Sequence, residues 1–134
     1  MAGRKGLADA LTKRMRDSLL PGDTPFAAQK IREAAEFVLD TAARRESKIS
    51  AMTLATASNG HRFMRIAIVS DDMPFLVDSI AATIAAQGLA IDRLVHPVVA
   101  VDRNDNGELQ TIDKSSAKDT ARESMIYIET ARID

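Results

Sequence analysis

The residues best suited to chemistry stand together at positions 71–76, Asp71-Asp72-Met73-Pro74-Phe75-Leu76. They follow a β-branched run and open a helical pattern, so amides freed at a helix start would lie beside two carboxylates. A small ligand carrying both an ammonium and a carboxylate has the complementary groups. Asp71 and Asp72 would receive the ammonium, and the amides near Met73, Phe75 and Leu76 would meet the carboxylate. In the plainer reading one Asp caps the helix and Phe75 fills a contact with another domain. Asp78 borders the apolar side of the same helix. It either hydrogen-bonds backbone or the Ser79 hydroxyl in an interdomain contact, or it is solvated.

Other chemistry-bearing groups are sparse. His96 precedes Pro97 in an apolar run, and an imidazole titrates near neutrality. Without a neighbouring carboxylate motif it reads as a structural or interface residue. His61, beside Asn59-Gly60, reads as a surface turn residue. The segment from Asp102 to Asp113 imitates a calcium loop, with Asp102, Asn104, Asn106 and Gly107 at the first, third, fifth and sixth positions. Its last position is Asp113, one methylene short of the usual bidentate Glu, and no helical pattern leaves it. A polar hairpin loop accounts for the same residues. Two isolated histidines define no Ser-His-Asp geometry, and no pair of catalytic carboxylates stands out.

Composition narrows the function classes. The chain has 134 residues, a formal net charge of −1 and an aromatic content of 4% without Trp. No global field draws it to nucleic acid or an anionic membrane, and there are few rings on which bases would stack. Neither nucleic acid nor membrane is expected as a partner. Cys is absent, which removes disulfides and thiolate chemistry and suits a reducing, cytoplasmic setting. The basic start runs into an amphipathic pattern instead of an apolar core, so it reads as no export signal.

The elements that would position these residues follow from periodicity. Leu7, Leu11, Met15 and Leu19 form one helical stripe over residues 4–19, ended by Leu20-Pro21-Gly22. Thr24 as cap and Pro25 in the first turn start a second helix reaching about residue 45. Its stripe is Ala27, Ile31, Ala34, Val38 and Ala42, with Arg32–Glu36 and Asp40–Arg44 able to pair on the wet side. Residues 1–47 thus read as a helical hairpin, and 48–134 as a second unit.

That unit begins with an alternation around Met52, Leu54 and Thr56, read as a short strand. Ser58-Asn59-Gly60-His61 is a hairpin-turn signal before a strand over 62–70. Leu76, Val77, Ile80, Ala81 and Ile84 form a helix face, and Gly88 supplies a left-handed end. A further strand runs from Ala90 to about Asp102, where Pro97 implies an edge or a bulge. Residues 103–120 read as polar loop with a turn at Asn106-Gly107 and a mobile stretch at 114–119. A last strand covers Ser124 to Ala131.

The fold class is therefore α+β: a helical hairpin, then an incomplete ferredoxin-like β-α-β-β sheet with a helix on one face. The final helix and strand of a complete unit are absent, and the chain reads as cut. The first strand's open edge should be covered by the N-terminal helices, the strand at 50–57 or a second copy.

The run Arg65-Ile66-Ala67-Ile68-Val69-Ser70-Asp71-Asp72-Met73-Pro74-Phe75-Leu76-Val77-Asp78-Ser79-Ile80 resembles a signature of the large bacterial NAD-specific glutamate dehydrogenases, near their N-terminus. The resemblance continues through Gly88-Leu89-Ala90-Ile91, His96-Pro97-Val98 and Glu123-Ser124, and covers roughly residues 62–131. Ser70 stands where many relatives have Asn. The resemblance implies an ACT-like regulatory and assembly segment, non-catalytic by itself and with no cofactor of its own, in a parent enzyme that uses NAD to convert glutamate to 2-oxoglutarate. No Gly-x-Gly-x-x-Gly opens a helix here. It also implies an amino-acid effector at Asp71, Asp72, Met73, Phe75 and Leu76, and interface roles for Phe75, Asp78, Ser79 and His96. Partners would be the remaining domains of the parent chain and further copies in a homo-oligomer. The alternative is a freestanding ACT-like small-molecule-binding protein, separated from the first reading by the length of the open reading frame.

Overall fold

A computed structural model describes residues 3–19, 26–46, 49–58, 62–73, 75–113 and 121–131. Helix α1 spans Arg4–Asp17 and helix α2 Ala28–Ala42. Leu7, Leu11 and Met15 of α1 are buried, as are Ile31, Ala34, Val38 and Ala42 of α2, so both stripes face inward as their spacing dictates. The Pro-Gly loop and the Thr24-Pro25 helix start lie outside the described residues.

Among the described residues six strands form one sheet: β1 (Ala51–Ser58), β2 (Arg62–Asp71), β3 (Ile91–Val95), β4 (Val98–Arg103), β5 (Leu109–Ile112) and β6 (Ala121–Ala131). The path runs β1-β2-β6-β4-β5, and β3 pairs with β6 as well. Helix α3 (Leu76–Ala86) connects β2 to β3. Every pairing is antiparallel, so β2 and β3 run the same way with β6 between them. That arrangement is the split β-α-β core of a ferredoxin-like, ACT-like fold, and the chain is α+β.

The open edge of β2 is filled from within the chain. Strand β1 pairs along it from Ala51 opposite Val69 to Ser58 opposite Arg62. It takes the place of the fourth strand of a complete unit. The Asn59-Gly60 turn between these strands lies outside the described residues.

Two expectations about the second half change. The single strand read from Ala90 to about Asp102 is interrupted at His96-Pro97, because proline has no N–H to donate. The interruption does not shift the ladder: Val95 faces Tyr127, Val98 faces Ser124, and the Met125 amide donates to the Pro97 carbonyl at 3.0 Å. The loop read over 103–120 contains β5, which pairs with β4. Its four residues alternate too briefly to signal a strand by themselves.

Strand alternation divides the side chains between two cores. On one face Ala67, Val69, Met125 and Tyr127 join α1 and α2 with Val95, Val99 and Val101. On the other, Ile66, Ile126 and Ile128 meet Ile84, with Leu76, Val77 and Ile80 of α3 packed alongside. The helical hairpin therefore covers the sheet face opposite α3. A fully buried Leu, Val or Ile in these cores contributes about 1.5–3 kcal/mol.

Candidate functional site

The connection from β2 to α3 brings the sequence-predicted residues to one end of the sheet but does not aim them at one point. Asp71 ends β2 on the face of Val69 and Ala67, away from α3. Its Oδ1 accepts from Nη1 of Arg45 at 2.9 Å. Asp72 and Met73 follow, both exposed. Phe75 occupies the N-cap position with φ 63°, and no side chain caps the helix there. The expected Asp cap is thus replaced by a left-handed aromatic residue, a conformation that costs a non-glycine residue roughly 1–2 kcal/mol. Pro74 lies outside the described residues.

The turn presents apolar surface. Phe75 is 78% exposed and Met73 48%. Asp78 and Ser79 are exposed on α3, whereas Leu76 is half-buried against the sheet. At the far end of α3 the Gly88 amide donates to the Ala85 carbonyl and the Leu89 amide to that of Ile84. With Gly88 at φ 77°, this is the left-handed end its sequence promised.

His96 lies under the same end of the sheet. Its Nε2 is 3.0 Å from the hydroxyl of Ser124, which is fully buried, and the Ser50 hydroxyl donates to that of Ser70 at 2.9 Å. Ser70 and Ser124 face each other across the β2–β6 ladder. Burial lowers the His96 pKa, and the negative charge of Asp72 partly restores it. Asp72 is thus close enough to His96 for its charge to be felt, a proximity the sequence pattern did not signal.

Sequence reasoning missed the cluster beneath Asp71. Arg45 donates to Asp71 and Glu123, and Arg103 meets Glu123 at 2.9 Å. Arg103 also donates to the carbonyls of Ala42 and Gly107, while Nε of Arg45 donates to that of Ile49. Two cations and two carboxylates so balance in a largely buried place. Glu123 is 78 residues from Arg45, a separation no local pattern encodes.

The segment resembling a calcium loop is a β4–β5 hairpin. Asn104 Oδ1 accepts from the amides of Asn106 and Glu108, the self-bonding of an Asx turn. Asp102 accepts from Thr111, and Asp113 accepts from the Ala100 amide and pairs with Arg14. Among the described residues no group of His, Cys, Asp and Glu is arranged to hold a metal. No described helix is long and apolar enough to cross a membrane.

Residues 17–134 match the family described as "Glutamate dehydrogenase, ACT1 domain". The chain is 39% identical over 69 residues to an NAD-specific glutamate dehydrogenase of Halomonas elongata, and 36% identical over 69 residues to one of Pseudomonas aeruginosa. Each alignment covers 50% of this chain and 4% of the relative, so the chain spans a small part of the length of these enzymes. No solved structure matches it. The family match covers the second helix, the whole sheet and the β2–α3 turn, and the chain belongs to the glutamate dehydrogenase ACT1 domain family.

Proposed function

We propose that this chain is a non-catalytic regulatory and assembly segment of a parent enzyme that oxidises glutamate to 2-oxoglutarate and ammonia with NAD, acting in the cytoplasm. NAD binds elsewhere in the parent. The β2–α3 turn and the adjoining sheet face contact other domains of that polypeptide.

The observation that carries the assembly role is the half-covered face beside α3. Met52 and Leu54 of β1 are 69% and 60% exposed there. With Ile66, Ile68 and Ile80 they border an open apolar cleft; Met52 and these three isoleucines line a space of about 290 Å³. Neither β1 nor α3 carries a Lys or Arg, and Asp78 is their one acidic residue. An uncharged strand edge and an apolar cleft are poor surfaces to leave in water. In a complete β-α-β-β-α-β unit a second helix lies on this face, and we assign the cleft to an apolar helix of the parent polypeptide. Phe75 and Met73 expose further apolar surface at the turn, which favours a contact role for it, and Ser79 lines the cleft.

The test uses the full-length parent. Leu54→Glu together with Met52→Glu should leave this segment folded, because both side chains already face water. The double variant should weaken subunit or domain assembly, read by analytical ultracentrifugation, and alter glutamate-dependent NAD reduction. Unchanged assembly and unchanged kinetics would sink the reading.

A further inference from the structure

Strand β1 ends the sheet on one side, and its outer edge has none of the protection that the other edges carry. At the opposite end the edge of β5 is short and closed by the chain itself: the Leu109 amide donates to the Ala43 carbonyl at 2.9 Å, and Arg44 bridges to Glu108. The free side of β3 carries Asp92 and Arg93, and its ladder shifts register between Ile91 and Arg93. Charges and bulges of this kind keep an edge from accepting another strand. Strand β1 runs for 8 residues without a charge, a proline or a break in its register with β2. Every second residue of an antiparallel strand turns its N–H and C=O away from its neighbour. Among the described residues no strand pairs with that side of β1.

The side chains of β1 sort by size between its two faces. Met52, Leu54 and Thr56 share the α3 face with Ile68, Ile66 and Met64, their partners on β2. Ala51, Thr53, Ala55 and Ala57 stand on the face of α2, where the Thr41 hydroxyl donates to that of Thr53 at 2.8 Å. Met52, Thr53, Leu54 and Thr56 are exposed. The strand is therefore held by β2 and α2 on its inner side and open to water along its outer one.

We propose that the outer edge of β1 docks a second copy of this chain, the two β1 strands pairing antiparallel about a two-fold axis into one continuous sheet. A two-fold axis sets each strand against its own reverse. A charge near the axis would meet its like, and β1 has none with which to repel its copy. Residues directly opposite one another share a face. The small residues thus meet small ones beside the two α2 helices, and the set Met52, Leu54 and Thr56 meets the same set on the open side. The shared face also requires the axis to pass at a residue and not between two. The strand's midpoint lies between Leu54 and Ala55, so one of these faces its own copy.

The inference goes beyond the helix contact assigned to the cleft. That contact lies on the α3 face, this one on the backbone edge, and either can hold without the other. At about 3.3 Å per residue the edge is roughly 26 Å long. An interface of one strand pair belongs to the small, transient class, so the dimer forms reversibly as concentration rises.

Sedimentation velocity of this 134-residue chain between about 5 and 500 µM should show a monomer–dimer equilibrium. Thr56→Lys places a charge on the edge, outside the cleft, and should raise the dissociation constant at least tenfold with an unchanged circular dichroism spectrum. Thr56→Val should leave the equilibrium in place. The chain has no cysteine, so a single engineered thiol can bond only to that of a second copy. Under mild oxidation either Leu54→Cys or Ala55→Cys should give a crosslinked dimer, because the axis brings one of them opposite itself at about 4.5–5.5 Å between Cα atoms. Met52→Cys is also exposed but would lie about four or more residues out of register with its copy, beyond the reach of a disulfide. The proposal is overturned by a chain that stays monomeric at about 500 µM, or by a dimer that Thr56→Lys leaves intact. It is equally overturned by Met52→Cys crosslinking as fast as the better of the two axial variants, or by crosslinking through Ser79→Cys in their place, which would mean that copies meet across the cleft.

Discussion

Nη1 of Arg45 stands 3.0 Å from Oε2 of Glu123, with the two side chains 5% and 3% exposed. Arg45 follows α2 and Glu123 belongs to β6, so the pair ties the helical layer to the sheet. Asp71 reaches the same nitrogen from the rim, and Arg103 donates to both Glu123 oxygens, from Nη2 to Oε1 and from Nε to Oε2. Glu123 therefore neutralises two guanidiniums, whereas Asp71 is a half-exposed auxiliary.

That inequality predicts a graded response. Removing the charge of Glu123 leaves two largely buried cations short of a partner, and Glu123→Gln should cost about 3–5 kcal/mol of unfolding free energy. Asp71→Asn removes a solvent-screened contact and should cost less than about 1 kcal/mol. Urea denaturation followed by circular dichroism measures both. Equal losses from the two variants would contradict the assignment of Glu123 as the hub.

Gly107 locks the same junction. Its φ is 79°, and a Cβ added there would lie 2.2 Å from the Arg45 carbonyl oxygen. The Arg45 amide donates to the Gly107 carbonyl at 3.0 Å, so the two backbones touch. Gly88 has φ 77° with nothing within 4 Å of such a Cβ. Gly88→Ala should therefore cost only the left-handed conformation, about 1 kcal/mol. Gly107→Ala should cost clearly more, because either the β4–β5 hairpin or the chain after α2 must move. Thermal unfolding of the two variants under identical conditions ranks them, and the reverse order would contradict the close approach.

What was legible in the sequence depended on range. The stripes Leu7-Leu11-Met15 and Ile31-Ala34-Val38 are local periodicities, and they became buried faces. Strand β1 was legible from Met52, Leu54 and Thr56 because an edge strand needs only alternation, although no pattern says that it pairs with β2 along its whole length. The helix start was misjudged because an Asp-Asp-x-Pro run usually signals capping, whereas Phe75 holds the N-cap position in a left-handed conformation. Nothing in the local pattern singles out Arg45 or Arg65. Their burial follows from contacts with Glu123 and Phe37, and single-sequence periodicity carries no information about those.

His96 makes the stability of the sheet sensitive to acid. Its pKa is lowered in the folded chain, chiefly by burial, with Asp72 opposing. The folded state therefore binds the proton less readily than the unfolded chain, whose value is about 6.5. The contribution is intact above that value and is lost as pH falls through the folded pKa. Unfolding free energy should drop between about pH 7 and pH 5 by more in the native chain than in His96→Gln. Asp72→Asn removes the opposing charge, so its His96 should titrate lower still, measured by NMR of the imidazole protons. A His96 resonance that titrates at or above the ordinary value would contradict the burial argument.

Tyr127 sets the alkaline limit. Its pKa is pushed far above the ordinary phenol value by burial first, then by the hydrogen bond and charge of Glu129, with Arg65 pulling the other way. A phenol whose pKa rises on folding stabilises the native state fully below the unfolded value of about 10, and that contribution is lost as pH rises above it. Tyr127 is the chain's one tyrosine and there is no tryptophan, so near-ultraviolet absorbance reports its ionisation alone. At about pH 11 the native chain should still show an un-ionised phenol, and tyrosinate should appear only as circular dichroism records unfolding. Tyr127→Phe loses the bond to Glu129 and should be less stable at neutral pH by about 1.5–3 kcal/mol, the range for hydrogen bonds to charged groups. It should also unfold with little pH dependence attributable to this position between about pH 9 and pH 11. Tyrosinate forming with a midpoint near 10 in a chain that remains folded would show that the phenol is solvated and that its contacts with Glu129 and Arg65 are open to water.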